Sequence, residues 1–222
     1  MLGASLQQNL GASLGYNFLT VVFIGVLAQT LFQSTASGII SLVEDRQNDF
    51  AQEMFIAPIS RYAILLGKIL GETFVSLVQI IGVILFAFVI RIPLDLASLL
   101  RLFPFVIAIA FFGGAFGVMV MSSLSEQRSA NQIFPFLLFP QFFLAGVFNP
   151  IQNLPLPILI ASRISPMTYA VDLSRSVYYY GKPEYAKVVL FNPILNLTVV
   201  LGAGLIFLMI GTFLFVRNER NR

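Results

Sequence analysis

The chain has 222 residues, of which 58% are hydrophobic and only 10% charged, with a formal net charge of +3. An ordinary soluble domain carries roughly 25% charged residues, so a water-surrounded globule is excluded by the apolar surface it would expose. Cysteine, histidine and tryptophan are absent, which removes disulfides, thiolate and imidazole metal sites and the commonest general base. The scattered Lys and Arg form no basic tract that would grip nucleic acid.

In chain order, Met1 to Asn17 is rich in Gly, Ser, Gln and Asn and lacks the basic start and apolar core of a signal peptide, so it reads as a loop. Apolar runs of membrane-spanning length follow at about 18–43, 63–90, 103–121, 133–148 and 194–216. Inside hydrocarbon every backbone N–H and C=O needs a partner within the chain, and these runs are far longer than the ~10 alternating residues of a barrel strand. The expected fold is therefore an all-α polytopic bundle of about five transmembrane helices. It forms a single membrane domain over residues 1–222, with no repeat or flexible linker.

The run at 133–148 is the shortest and holds Pro135 and Pro140, each of which removes one helical hydrogen bond. Residues 149–193 mix prolines, aromatics and charges in pieces too short to span. Short interfacial or re-entrant helices fit there, with Tyr178, Tyr179 and Tyr180 at headgroup level. With the C-terminus cytoplasmic, Arg46, Arg61, Lys68, Arg128, Arg217, Arg220 and Arg222 lie inside and Arg91, Arg101, Arg163, Arg175, Lys182 and Lys187 outside. Only the C-terminal cluster favours this orientation, in which an odd number of spans leaves Met1 outside.

The segment between the first two runs is a short amphipathic helix with marked ends. Asn48 or Asp45 can cap it, Asp49 suits its positive end, and Pro58 turns Ala57 out of the helical region. On a 3.6-residue period Phe50, Ala51, Met54, Phe55 and Ala57 share one face, and Asp49, Gln52 and Glu53 the other. By periodicity alone this is a connector lying on lipid headgroups. Its acidic polar face, where interfacial helices carry Lys and Arg, argues instead for an apolar groove on another protein.

Asp45-Arg46, Phe50, Glu53-Met54, Ala57-Pro58, Ser60-Arg61 and Gly67-Lys68 together resemble the cytoplasmic signature of the ABC-2 type transporter permeases, especially the drug-exporter branch typified by daunorubicin resistance permeases. Ser165-Pro166-Met167-Thr168-Tyr169-Ala170-Val171-Asp172-Leu173-Ser174-Arg175 is similar to that family's extracellular segment before its last span. The resemblance implies the permease subunit of an exporter in a bacterial or archaeal plasma membrane, moving an amphiphilic or drug-like substrate. It gives Asp49 through Ala57, with Pro58 and Arg61 behind them, the role of a coupling helix that docks in a separate ATPase subunit. It also implies a second permease copy, a homodimer embedded in membrane lipid, with ATP bound by the partner and neither cofactor nor catalytic residue in this chain. No G-x-x-x-x-G-K-[ST] phosphate loop is present.

Two features depart from the family pattern. A Gly is usual where this chain has Asp49, and the family usually has six spans, of which the first is missing here. That reads as truncation, a mis-started chain or completion by a partner. Functions of other classes fit less well. A secondary transporter needs inverted repeats and coupling-ion groups at the midplane, and only Glu72 is offered. An intramembrane enzyme needs paired carboxylates or an activated nucleophile. A non-transporting membrane assembly protein is the remaining alternative.

Within the first run Thr30, Ser34, Ser37 and Ser41 fall at i, i+4, i+7 and i+11, with Gln29 and Gln33 beside them. Such a polar stripe serves either close helix packing or a surface along a translocation path. Gly67 and Gly71, and Gly113 and Gly117, have the spacing that lets helices approach closely. Glu72 is a carboxylate well inside an apolar run, one turn from Lys68, so a snorkelling ion pair is expected before a proton relay. Asp172 and Arg175 share a turn and, with Arg163, either line an outer vestibule or form a solvated pair.

Overall fold

The computed structural model describes residues 15–47, 60–124, 126–153 and 155–220. Among them every regular element is a helix. The segment Asp49 to Pro58, where the coupling helix is expected, lies outside the described residues, as does Met1 to Leu14.

Short polar residues set the helix starts. Asn17 accepts the amide of Thr20 at 3.1 Å and opens α1, Phe18–Gly38. The chain breaks at Ile39 and continues as α2, Ile40–Gln47. Ser60 accepts Ala63 N–H at 3.2 Å and opens α3, Arg61–Val89. Asp95 accepts Ala97 N–H at 3.2 Å and opens α4, Leu96–Met121. Each side-chain oxygen satisfies one of the amide donors that a helix start leaves without an intrahelical acceptor. There follow α5, Gln127–Leu144; α6, Leu156–Ile164; α7, Pro166–Tyr178; α8, Tyr185–Val188; and α9, Pro193–Arg220.

Four stretches of the described residues are long and apolar enough to cross a bilayer, namely Phe18–Glu44, Tyr62–Val89, Leu96–Met121 and Pro193–Asn218. They match four of the five expected runs, and α4 starts well before Phe103 because the Asp95 cap sets its first turn. The run at 133–148 departs from the expectation of a fifth span. Its helix, α5, begins six residues earlier in the polar stretch Gln127-Arg128-Ser129-Ala130-Asn131-Gln132, and it ends at Leu144 before Gly146 turns the chain at φ +66°. Both prolines are accommodated inside it.

Helix α4 is the axle of the bundle, packed on α1, α9, α3 and α7. It meets α1 through glycines: a Cβ added at Gly113 would lie 2.7 Å from Phe32 Cα, and one at Gly117 would lie 3.0 Å from Ala36 Cα. The two backbones are therefore in direct contact, as small-residue spacing permits. Phe32 stands against Phe112 with ring centroids 5.5 Å apart, and Phe112 stacks on Phe207 of α9 at 5.7 Å, so aromatic rings tie three spans together. Gly67 and Gly71, by contrast, face open space on α3. The outward row of α3, with Leu70, Phe74, Val78, Ile81 and Leu85, is exposed, as expected of a face in lipid rather than water. The chain is a multi-pass helical membrane protein.

At the end of the bundle where α4 and α9 begin, α7 is enclosed by its neighbours. Tyr178 and Tyr179 are buried, and only Tyr180, at 65%, is exposed. The expected belt of three headgroup tyrosines thus reduces to one, because α7 turns its last residues inward against α4.

Candidate functional site

A polar cleft opens between the C-terminal half of α1 and the N-terminal half of α3. It encloses about 480 Å³ and is lined by Thr30, Gln33, Ser34, Ser37 and Gly38 of α1 and by Glu72, Val75 and Gln79 of α3. The helical period aligns Thr30, Ser34 and Ser37 on one face of α1, and Glu72 with Gln79 on the facing side of α3. Glu72 forms an ion pair with Lys68, Oε1 to Nζ at 3.1 Å, so its charge is neutralised on its own helix. Its side chain also rests against Gly38, where an added Cβ would lie 2.8 Å from Glu72 Cγ. The absence of a side chain at Gly38 is what lets the carboxylate enter the cleft.

Much of the hydroxyl capacity is spent locally. Ser37 Oγ donates to the Gln33 carbonyl at 2.6 Å, and Gln29 Nε2 donates to Gln33 Oε1 at 3.5 Å. Ser41 sits on α2 outside the lining, with its Oγ donated to the Gly38 carbonyl at 2.8 Å. Four of the five stripe residues expected along a translocation path, Thr30, Gln33, Ser34 and Ser37, therefore share one cleft. Sequence reasoning missed Gln79. The signal was its position seven residues beyond Glu72, which puts both on one helical face.

The outer residues have a different disposition. Asp172 and Arg175 are both buried, at 4% and 2% exposure, and neither is solvated. Asp172 accepts the amides of Leu190 and Phe191 at 2.7 and 2.8 Å and Asn196 Nδ2 at 2.7 Å, so it ties α7 to the entry of α9. Arg175 Nη2 donates to the carbonyls of Gly146 and Val147 at 2.7 and 3.1 Å, tying α7 to the turn after α5. Burial pushes the Asp172 carboxyl upward against the pull of those hydrogen bonds, and burial brings the Arg175 guanidinium down to about 10. Arg163 stays exposed at the end of α6, its guanidinium 5.9 Å from the Phe191 ring. The three residues thus do not converge on one vestibule. Two of them clamp α7 to its neighbours and one remains at the surface.

A profile of the ABC-2 type transporter family matches residues 3–179. The chain is 24% identical over 172 residues to a Cyanophora paradoxa protein that carries the provisional name transport permease ycf38, covering 77% of this chain and 59% of that protein. It is also 24% identical over 144 residues to the Escherichia coli K12 protein named probable multidrug ABC transporter permease YbhR, covering 63% of this chain and 38% of that one. The chain therefore spans less than two thirds of the length of either relative.

Proposed function

The chain belongs to the ABC-2 type transporter family, and from that membership we propose that it is the membrane-spanning permease subunit of an exporter powered by a separate ATPase. The family match over both the Asp49 to Ala57 segment and the α7 segment carries this reading. The chain has no phosphate loop, so nucleotide chemistry belongs to the partner, and this chain works without a cofactor or catalytic residue of its own. Two copies form the route in a bacterial or archaeal plasma membrane. The cargo is an amphiphilic or drug-like molecule, as the name of the Escherichia coli relative suggests.

In this reading the helix at Asp49 to Ala57 seats Phe50, Met54 and Phe55 in an apolar groove of the ATPase, followed in sequence by Pro58 and Arg61. Closure of the ATPase pair moves that helix as a rigid body together with the inner ends of α2 and α3. The polar cleft beside those ends, at Thr30, Gln33, Ser34, Ser37 and Glu72, is the surface the cargo meets. Co-purification tests the proposal. Phe50→Asp and Met54→Asp each place a charge in the apolar groove, which costs on the order of 2–4 kcal/mol and should weaken ATPase capture at least tenfold. Retention of the ATPase and of full export by both variants would falsify the coupling assignment.

A further inference from the structure

An apolar groove of about 660 Å³ lies between the second and third turns of α4, the first turn of α9 and the last turn of α7. Phe105, Val177, Pro193 and Ile194 supply its walls, and Arg101 stands at its rim. Ile194 in its wall is an exposed apolar residue, 74% accessible, as expected of a surface that faces acyl chains. Arg101 is five residues into α4, about 7–8 Å along the helix axis from its start.

At the rim two cations meet one carboxylate. Lys182 Nζ lies 3.3 Å and Arg101 Nη2 lies 4.0 Å from the same Asp95 carboxylate oxygen. Two cations thus share one anion. Lys182 is further held 4.1 Å above the Tyr178 ring, which leaves Arg101 as the cation facing outward, its side chain 46% exposed. Its Nε donates to the Ala97 carbonyl at 3.4 Å, Nη1 to the Tyr180 carbonyl at 3.4 Å and Nη2 to Ser98 Oγ at 3.0 Å. A guanidinium has five N–H donors, so one on each Nη is left for a ligand.

We propose that this groove binds one anionic phospholipid, with an acyl chain along Phe105, Val177 and Ile194 and the phosphate on Arg101. The apolar walls give a free phosphate nothing to hold, whereas they match a hydrocarbon chain. The exposed Arg101 guanidinium at the rim favours an anionic over a zwitterionic headgroup. The proposal is independent of the exporter reading.

The absence of tryptophan makes a single introduced Trp an unambiguous reporter. The full chain carrying Ile194→Trp, in the wall of the groove, is reconstituted into bilayers containing brominated phosphatidylglycerol or brominated phosphatidylcholine with identical chains. One juxtaposed cation is worth about 1 kcal/mol toward an anionic lipid, so phosphatidylglycerol should quench with roughly fivefold higher apparent affinity. That preference should vanish in Ile194→Trp combined with Arg101→Gln. A reporter at Phe86→Trp, on the outer half of α3 and outside the groove, should show no preference. Native mass spectrometry of the unaltered chain should retain one phosphatidylglycerol per protomer, which keeps the test decisive even where Arg101→Gln fails to fold. Equal quenching by the two lipids, an equal preference at Phe86→Trp, or displacement of the lipid by inorganic phosphate would each overturn the proposal.

Discussion

Arg175 and Asp172 stand three residues apart on α7 but face different neighbours, and their consequences differ accordingly. Removing the guanidinium strips the Gly146 and Val147 carbonyls of their donor and leaves a hole in a fully buried site. Arg175→Ala should therefore lower stability by about 3–4 kcal/mol, read as an earlier loss of the monodisperse peak on heating in detergent. Arg175→Lys should recover only part of it, because a point-charge ammonium cannot reproduce the planar fork. For Asp172 the pH dependence has a definite sign. Burial raises its carboxyl above the ordinary 3.8, so between that value and the raised one the folded protein binds more protons than the unfolded chain. Stability contributed by this group is full below 3.8 and declines as pH rises through the raised value. Asp172→Asn should flatten that part of a melting-temperature profile measured against pH, and an unchanged slope would assign the dependence to another group.

At the scale of elements, the contact between α1 and α4 decides whether the bundle closes. Gly113→Val would force Cβ and two methyls into the Phe32 backbone, an overpacking that costs about 1–3 kcal/mol or more. Gly71→Ala, on open surface, should be neutral in the same heating assay, and similar losses for both would refute the assignment of the tight crossing. The equal spacing of the two glycine pairs made them indistinguishable in sequence. Only the arrangement of helices reveals that one pair is the crossing and the other faces outward. The spans themselves were legible because the bilayer demands long uninterrupted apolar runs, and the caps at Asn17, Ser60 and Asp95 sharpen their starts. Helix α5 was not legible as a polar-ended helix, since a hydropathy reading starts at the first apolar residue and ignores the polar turns that precede Ile133. Nor was the burial of Tyr178 and Tyr179, which depends on α7 folding back into the bundle and leaves no periodic trace. The polar stripe was legible as a stripe, but its counterpart at Gln79 needed the facing helix. Gln79→Leu should reduce export several-fold while leaving expression unchanged and stability within about 0.5 kcal/mol of the original, as for a surface substitution, whereas unaltered export would remove Gln79 from the proposed route.

On the scale of the whole molecule, the cleft poses a question that one copy cannot answer. Gln33, Ser34, Ser37, Glu72 and Gln79 lie along spanning helices and line an open cleft, and polar groups at that depth face either water or protein, not acyl chains. A second copy that brings its own cleft opposite would satisfy this by enclosing a shared polar route, with the open glycine face of α3 at its margin. The cysteine-free sequence permits a direct test with Ser34→Cys or Gln79→Cys introduced singly and oxidised in native membranes. If the clefts face each other, these positions should form disulfide-linked dimers, while Phe213→Cys on the exposed side of α9 should not. Cross-linking at Phe213→Cys with none at either cleft position would place the partner on the opposite side of the bundle. The cleft would then have to be covered by another protein segment, and the route between two copies would be lost from the proposal even if the ATPase still bound.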